Sequence, residues 1–234
     1  MSVPQLPLAL RYPPDQRFEN FIGAPAGALA QLRALAAGDS LDWVYLAGPA
    51  ATGKTHLALA LCAAAEQAGR APAYLPLAAA AGRLRDALEA LEDRDVVALD
   101  GLEQIAGKRD EEVALFDFHN RARSAGITLL YTARATPEAL GLVLPDLKSR
   151  LSQCGRIVLA PLDDHGRGAI LRDRAQRRGL ALDQAAIEWL LTRTGQDLSG
   201  LVALLDRLDR ESLAAKRRIT VPFLKRVLGN PASA

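Results

Sequence analysis

The sequence predicts an α/β domain built on a five-stranded parallel sheet, followed by a small all-helical domain. Three observations carry that reading. Between Trp43 and Pro161, five short β-rich runs alternate with helix-length segments, the pattern of strands joined by crossover helices. The glycine-bearing stretch "GPAATGKT" (48–55) sits directly between the first of those runs and the helical "HLALALCAAA". From Leu162 onward apolar residues recur only at helical spacing.

In chain order, residues 1–17 read as a tail, 18–161 as the α/β core and 162–234 as the helical domain. After "RFENFIG" an Ala/Leu pattern predicts a helix from about Gly27 to Ala37. The β-rich runs are "WVYLAG" (43–48), "AYLPL" (73–77), "VVALD" (96–100), "ITLLYTA" (127–133) and "RIVLAP" (156–161). Helices are expected at 55–68, 82–92 and 111–125, with short pieces near 136–140 and 146–151. In the last domain they are expected at 164–179, 183–194, 198–216 and 221–228, punctuated by Gly179, Gly195 and Pro222. Leu198, Leu201, Val202, Leu205 and Leu208 fall on one face of the third of these.

Composition excludes several classes. Of 234 residues, 50% are hydrophobic and 24% charged, the balance of a globular protein with a sizeable core. The net charge of +2 carries no global signature of a nucleic-acid binder, and the 13 Lys/Arg against 9 Asp/Glu over 161–234 suit a solvated helical surface. Cys62 and Cys154 stand outside any C-x-x-C pattern, which argues against a zinc site or a disulfide framework and suits a reducing cytoplasm. No apolar stretch reaches the ~18 residues of a membrane span. The proline-broken start lacks the basic region and cleavage site of a signal peptide.

The chemistry begins at residues 48–55. Gly48, Gly53, Lys54 and Thr55 meet the pattern G-x-x-x-x-G-K-[ST]. Glycines allow the loop to curl so that backbone N–H groups face phosphate oxygens, and the helix that follows presents its positive end to the same charge. Lys54 is then expected to reach the β- and γ-phosphates of ADP or ATP, and the Thr55 hydroxyl to ligate Mg²⁺. Such sites need an acid at the end of a neighbouring apolar strand to hold Mg²⁺ through water, and "VVALDGLE" supplies Asp100. The next position, where many hydrolytic proteins carry a second acid that polarises water, is Gly101. Glu103 is the nearest substitute in sequence, so weak intrinsic hydrolysis is expected.

With these residues in view, the chain resembles the AAA+ ATPases of the DnaA-like branch, and within it the Hda regulators that inactivate the initiator DnaA. The likeness runs through "FENFIG", the phosphate loop, "EEVALFDFHNRARSAG", "LPDLKSRL", "APLDD" and "KRRITVPFLKRVL". It implies that Arg150 in "LPDLKSRL" is an arginine finger, reaching the γ-phosphate bound by a neighbouring subunit. It implies that Thr132, at the end of the fourth strand, senses the γ-phosphate. Two departures stand out. Arg134 replaces the family's nearby Asp, and Ser199 replaces the sensing arginine of the third lid helix, with Arg193 and Arg207 close in sequence but off the motif. Together with Gly101 they imply a nucleotide held rather than turned over, with ADP as the resting ligand.

The tail carries a further resemblance. "QLPLAL" (5–10) is similar to the hexapeptide by which bacterial proteins dock on the β sliding clamp. Gln5 offers an amide, Leu6, Leu8 and Leu10 apolar volume, and Pro7 limits the freedom lost on docking. The resemblance thus implies a cytoplasmic adaptor of replication initiation. It would bind the DNA-loaded clamp, meet DNA mainly through the clamp, stimulate ATP hydrolysis by DnaA, and form a homo-oligomer, a dimer. Two other functions compete. A DnaA-like replication factor or helicase loader holding single-stranded DNA would carry a basic stripe or an added DNA-binding domain. A free-standing ATPase would carry a catalytic acid after Asp100.

Overall fold

The central apolar runs become strands here because helices cover both of their faces. The computed structural model describes residues 12–13, 15–40, 42–194, 200, 204–205, 208 and 220–228. It has strands β1 (Val44–Ala47), β2 (Pro72–Pro76), β3 (Val96–Asp100), β4 (Thr128–Ala133) and β5 (Gly155–Val158) in one sheet of order β2-β3-β4-β1-β5. All four pairings are parallel. The helices of this part are α1 (Ala28–Ala37), α2 (Lys54–Gln67), α3 (Leu84–Glu89), α4 (Arg109–Ala125) and α5 (Pro145–Ser152). The chain divides into two units, Met1–Ala160 and Pro161–Ala234.

Side chains alternate across the sheet with the period of a strand. Val44, Leu46, Val96, Ala98 and Leu130 face a core closed by Leu32 and Leu35 of α1 and Leu57 and Leu61 of α2. Tyr45, Val97, Leu99, Leu129 and Tyr131 face a second core with Leu115 and Phe118 of α4 and Leu147 and Leu151 of α5. Strand β2 is only half-buried along its length, and as a sheet edge it tolerates Pro72 and Pro76.

Two expectations are corrected. The helix near 136–140 is a run of turns in which Ala139 N donates to Thr136 O at 3.0 Å. A stretch confined between Pro137 and Gly141 is too short to nucleate a helix. The segment 82–92 is helical only over Leu84–Glu89, since Gly82 takes a left-handed φ of 77°. Helix α5 is held from outside. The fully buried carboxylate of Glu112 on α4 accepts from Gly107 N at 2.7 Å, Val143 N at 2.9 Å and Leu144 N at 2.7 Å, which fixes the loop entering α5.

The second unit contains α6 (Asp164–Arg177), α7 (Gln184–Thr194) and α8 (Val221–Leu228). Asp163 caps α6 by accepting from Gly166 N at 2.7 Å. Leu171, Ile187, Leu190, Leu208, Phe223 and Leu224 form its core. Most of the helix expected at 198–216 lies outside the described residues, as do Ser199 and Arg207 and the tail residues Gln5, Leu6, Leu8 and Leu10. Among the described residues no helix is long and apolar enough to cross a membrane.

Candidate functional site

Strand order creates the site. Because β4 lies between β1 and β3, the register aligns Leu46, Thr132 and Asp100 across three neighbouring strands at their C-terminal ends. Open parallel sheets bind ligands at that edge. The phosphate loop leaves β1 there and enters α2.

The loop's curl is visible in its backbone. Gly53 has φ 91° and Ala51 has φ 61°, a left-handed conformation that costs a non-glycine residue roughly 1–2 kcal/mol. Close packing forbids side chains at both motif glycines of the loop. A Cβ on Gly48 would lie 2.7 Å from the Leu159 carbonyl oxygen, and one on Gly53 would lie 2.5 Å from Phe21 Cε2. Lys54 is buried, and its ammonium donates to the carbonyls of Gly48 at 2.6 Å and Pro49 at 2.7 Å. Burial pushes its pKa down, against the opposing pull of Glu103 and Asp100. A curled loop of backbone with one enclosed cation at a helix N-terminus fits a polyphosphate.

Asp100 is the hub of the neighbouring hydroxyls. Its Oδ2 accepts from Thr55 Oγ1 at 2.7 Å and from the Tyr74 hydroxyl at 2.8 Å, and its Oδ1 accepts from Thr132. Thr132 is fully buried, and its hydroxyl also accepts from Gly101 N at 3.0 Å. That hydroxyl is therefore turned toward Asp100. By donating its proton to Asp100, Thr55 leaves its oxygen lone pairs free. An uncharged oxygen beside a carboxylate is a donor pair suited to a partly hydrated Mg²⁺. Among the described residues no cluster of three or more His, Cys, Asp or Glu side chains offers an alternative metal site.

Gly101 has φ 90°, which a glycine adopts without strain. Glu103 is committed elsewhere: it accepts from Arg134 N at 3.1 Å and pairs with the Arg134 guanidinium at 3.1 Å. Arg134 and the acid-free position after Asp100 thus meet at one place, on either side of Glu103.

Arg150 is not brought to this site. It is exposed in the last turn of α5, which hands the chain to the start of β5 at Gly155, paired with Val44 at the N-terminal end of β1. The phosphate loop leaves the opposite end of that strand. Among the described residues its guanidinium has no hydrogen-bond or ion-pair partner. Its charge is felt by His119, whose ring nitrogen shares a hydrogen bond of 2.9 Å with the Tyr131 hydroxyl and which packs edge-on against Trp43 at 4.6 Å. Burial, with the positive charges of Arg150 and Arg123, pushes the His119 pKa down to about 4.

Two residues of the site belong to no motif. Phe21 closes over Gly53, and "FENFIG" is the only local hint of it. Tyr74 reaches Asp100 from β2 across the sheet register, and nothing in its neighbourhood along the chain announces that contact.

A parallel sheet with a phosphate loop after β1, an acid and a threonine at the ends of β3 and β4, and a helical unit following in the chain define a DnaA-like AAA+ nucleotide-binding fold. The family model of the IstB-like ATP binding proteins matches residues 2–132, and that of the Hda lid domain matches residues 164–228. The chain belongs to the IstB-like ATP-binding family, and its second unit is similar to the Hda lid domain. Solved structures share the fold. Domain III of the replication initiation protein DnaA from Thermotoga maritima is 19% identical, with a TM-score of 0.79 over 94% of this chain and 98% of that one. AMPPCP-bound DnaA from Aquifex aeolicus is 22% identical, with a TM-score of 0.67 over 88% of this chain and 71% of that one. The Thermotoga maritima RuvB Holliday junction branch migration motor is 20% identical, with a TM-score of 0.63 over 93% of this chain and 72% of that one.

Proposed function

We propose that this chain is a cytoplasmic regulatory adaptor of chromosomal replication initiation. It binds ADP or ATP with Mg²⁺, docks on the DNA-loaded sliding clamp through Gln5, Leu6, Leu8 and Leu10, and stimulates ATP hydrolysis by DnaA with Arg150 acting in trans. It works as a homo-oligomer, a dimer, and meets DNA mainly through the clamp.

The observation that carries this reading is the position of Arg150. Its guanidinium is exposed, has no partner among the described residues, and lies in the last turn of the helix that leads into the start of β5, whereas the phosphate loop leaves the C-terminal end of β1. That leaves it available to a neighbour's nucleotide. A fixed planar cation there would neutralise charge developing on a transferring phosphoryl group, an effect worth ~10³–10⁵ in rate. On the nucleotide side, Gly48, Gly53 and Lys54 hold the phosphates, Thr55 ligates the magnesium ion, and Asp100 holds it through water. The absence of a side chain at Gly101, and the commitment of Glu103 to Arg134, support slow turnover of the chain's own nucleotide.

The test mixes the protein with clamp loaded on DNA and with ATP-loaded DnaA, and measures released phosphate. Stimulation that requires both the protein and the clamp supports the adaptor. No stimulation, with tight binding of single-stranded DNA instead, replaces it with the loader reading. No stimulation with rapid hydrolysis by the protein alone replaces it with a free-standing ATPase.

A further inference from the structure

Three hydroxyl groups donate to one carboxylate at this site, and one of them has no place in the phosphate-binding pattern. Asp100 Oδ2 takes both the Thr55 hydroxyl at 2.7 Å and the Tyr74 hydroxyl at 2.8 Å, while Oδ1 takes Thr132. The direction of the last bond is settled by the main chain, because Gly101 N donates to the Thr132 oxygen at 3.0 Å.

The carboxylate would otherwise turn easily. The terminal torsion of an Asp side chain joins sp³ to sp² carbon and has a broad, roughly two-fold profile. Thr132 alone grips one oxygen. Thr55 is a poor second grip, since its oxygen is the group expected to move toward a cation. Tyr74 approaches from β2, a different strand, and is half-buried against the core that contains Leu61 and Cys62 of α2. It therefore holds Oδ2 from a neighbouring strand, by a rigid ring packed on the core. Both lone pairs of Oδ2 are then used, and the free lone pair of Oδ1 is left to receive a water molecule.

We propose that Tyr74 is a positioning residue for the divalent cation: it fixes the Asp100 carboxylate in the orientation that accepts a water of the ion, and so sets how strongly nucleotide binding depends on Mg²⁺. The inference rests on the reading of Thr55 and Asp100 as the cation's holders. A phenol suits the role because it grips a carboxylate without adding a charge that would compete with the ion.

The test is Tyr74→Phe, which keeps the ring and its packing and removes only the hydroxyl. The affinity of a fluorescent ADP is measured in EDTA and across a Mg²⁺ titration. The EDTA affinity should match wild type, while the Mg²⁺ midpoint should rise about fivefold or more, as expected for losing a hydrogen bond to a charged group. In an Asp100→Asn background, where the carboxylate is already gone, adding Tyr74→Phe should change the Mg²⁺ dependence no further. A Tyr74→Phe protein with the wild-type Mg²⁺ midpoint overturns the proposal. Equal weakening in EDTA and in Mg²⁺ also overturns it, assigning Tyr74 to packing alone. If wild type and Asp100→Asn show no Mg²⁺ dependence at all, it is the cation reading itself that fails.

Discussion

Lys54 donates to the carbonyl of Gly48 at 2.6 Å, six residues back along the same loop. The ammonium thus sits inside the curl it is expected to share with phosphate. Lys54→Ala should abolish retention of ADP through gel filtration. It should also remove the rise in melting temperature that saturating ADP confers on wild type, because a ligand stabilises the folded form only if it binds it. Retention of ADP like wild type would show that the phosphates are held elsewhere.

Gly53 is constrained twice, by its φ of 91° and by Phe21 Cε2, which would stand 2.5 Å from an added Cβ. Gly53→Ala should lower stability by about 2 kcal/mol in denaturant unfolding and weaken ADP binding sharply. Phe21→Ala in the same chain should recover part of the stability by removing the clash, and little of the binding, since the left-handed backbone remains strained. Wild-type binding by Gly53→Ala would mean that the loop tolerates another curl.

Arg150→Ala should keep the fold, ADP and clamp docking, because the side chain is exposed and engages no partner among the described residues. What it should lose is stimulation of phosphate release from DnaA, by an order of magnitude or more if the finger is worth even the low end of ~10³. Lysine should rescue poorly, offering a point charge in place of a planar fork. Undiminished stimulation by Arg150→Ala would remove the trans mechanism and leave a nucleotide-gated binding module.

Replacing Gln5 and Leu8 together with alanine should eliminate clamp binding in surface plasmon resonance and leave nucleotide affinity intact. The tail precedes the first core element, so its alteration should change the melting temperature little. A large fall in melting temperature would mean that these residues pack on the chain's own core.

His119 introduces a pH dependence of stability. Its folded pKa, about 4, lies below the 6.5 of a free imidazole, so the unfolded chain binds the extra proton first as pH falls. Its contribution is fully present above about pH 6.5 and is lost progressively between there and about pH 4. Glu138 is displaced in the same direction, held down to about 2 by its hydrogen bonds to Thr136, its own backbone N–H and Arg156, and so acts in a lower window. Melting temperature measured from pH 7 to pH 4 should therefore fall with a slope that His119→Gln flattens. Gln retains a partner for the Tyr131 hydroxyl. An unchanged slope would place the titration on other groups.

Much of this molecule is written in stretches of contiguous residues. The alternation of Val44 and Leu46 with Tyr45 and Ala47 sends successive side chains to opposite cores, and that follows from the period of a strand wherever the strand lies. The spacing of Gly48, Gly53, Lys54 and Thr55 works in the same way, since a loop of backbone N–H groups before a helix is assembled from neighbours in sequence. These features, and with them the fold class, are determined by the sequence alone because their physics is local. Short-range reasoning fails where the partner is remote. It expects a helix at 136–140, where Glu138 instead spends its carboxylate on Ser152 and Arg156 of later elements. The contacts of Tyr74 with Asp100, Phe21 with Gly53, and Glu112 with Val143 and Leu144 join residues 26 to 32 positions apart. That the helix carrying Arg150 leads into a strand beside the one that launches the phosphate loop likewise depends on β5 pairing with β1. Only the strand order decides those relations, because hydrogen-bond and packing geometry acts through space and no period or motif along the chain encodes which strands will be neighbours.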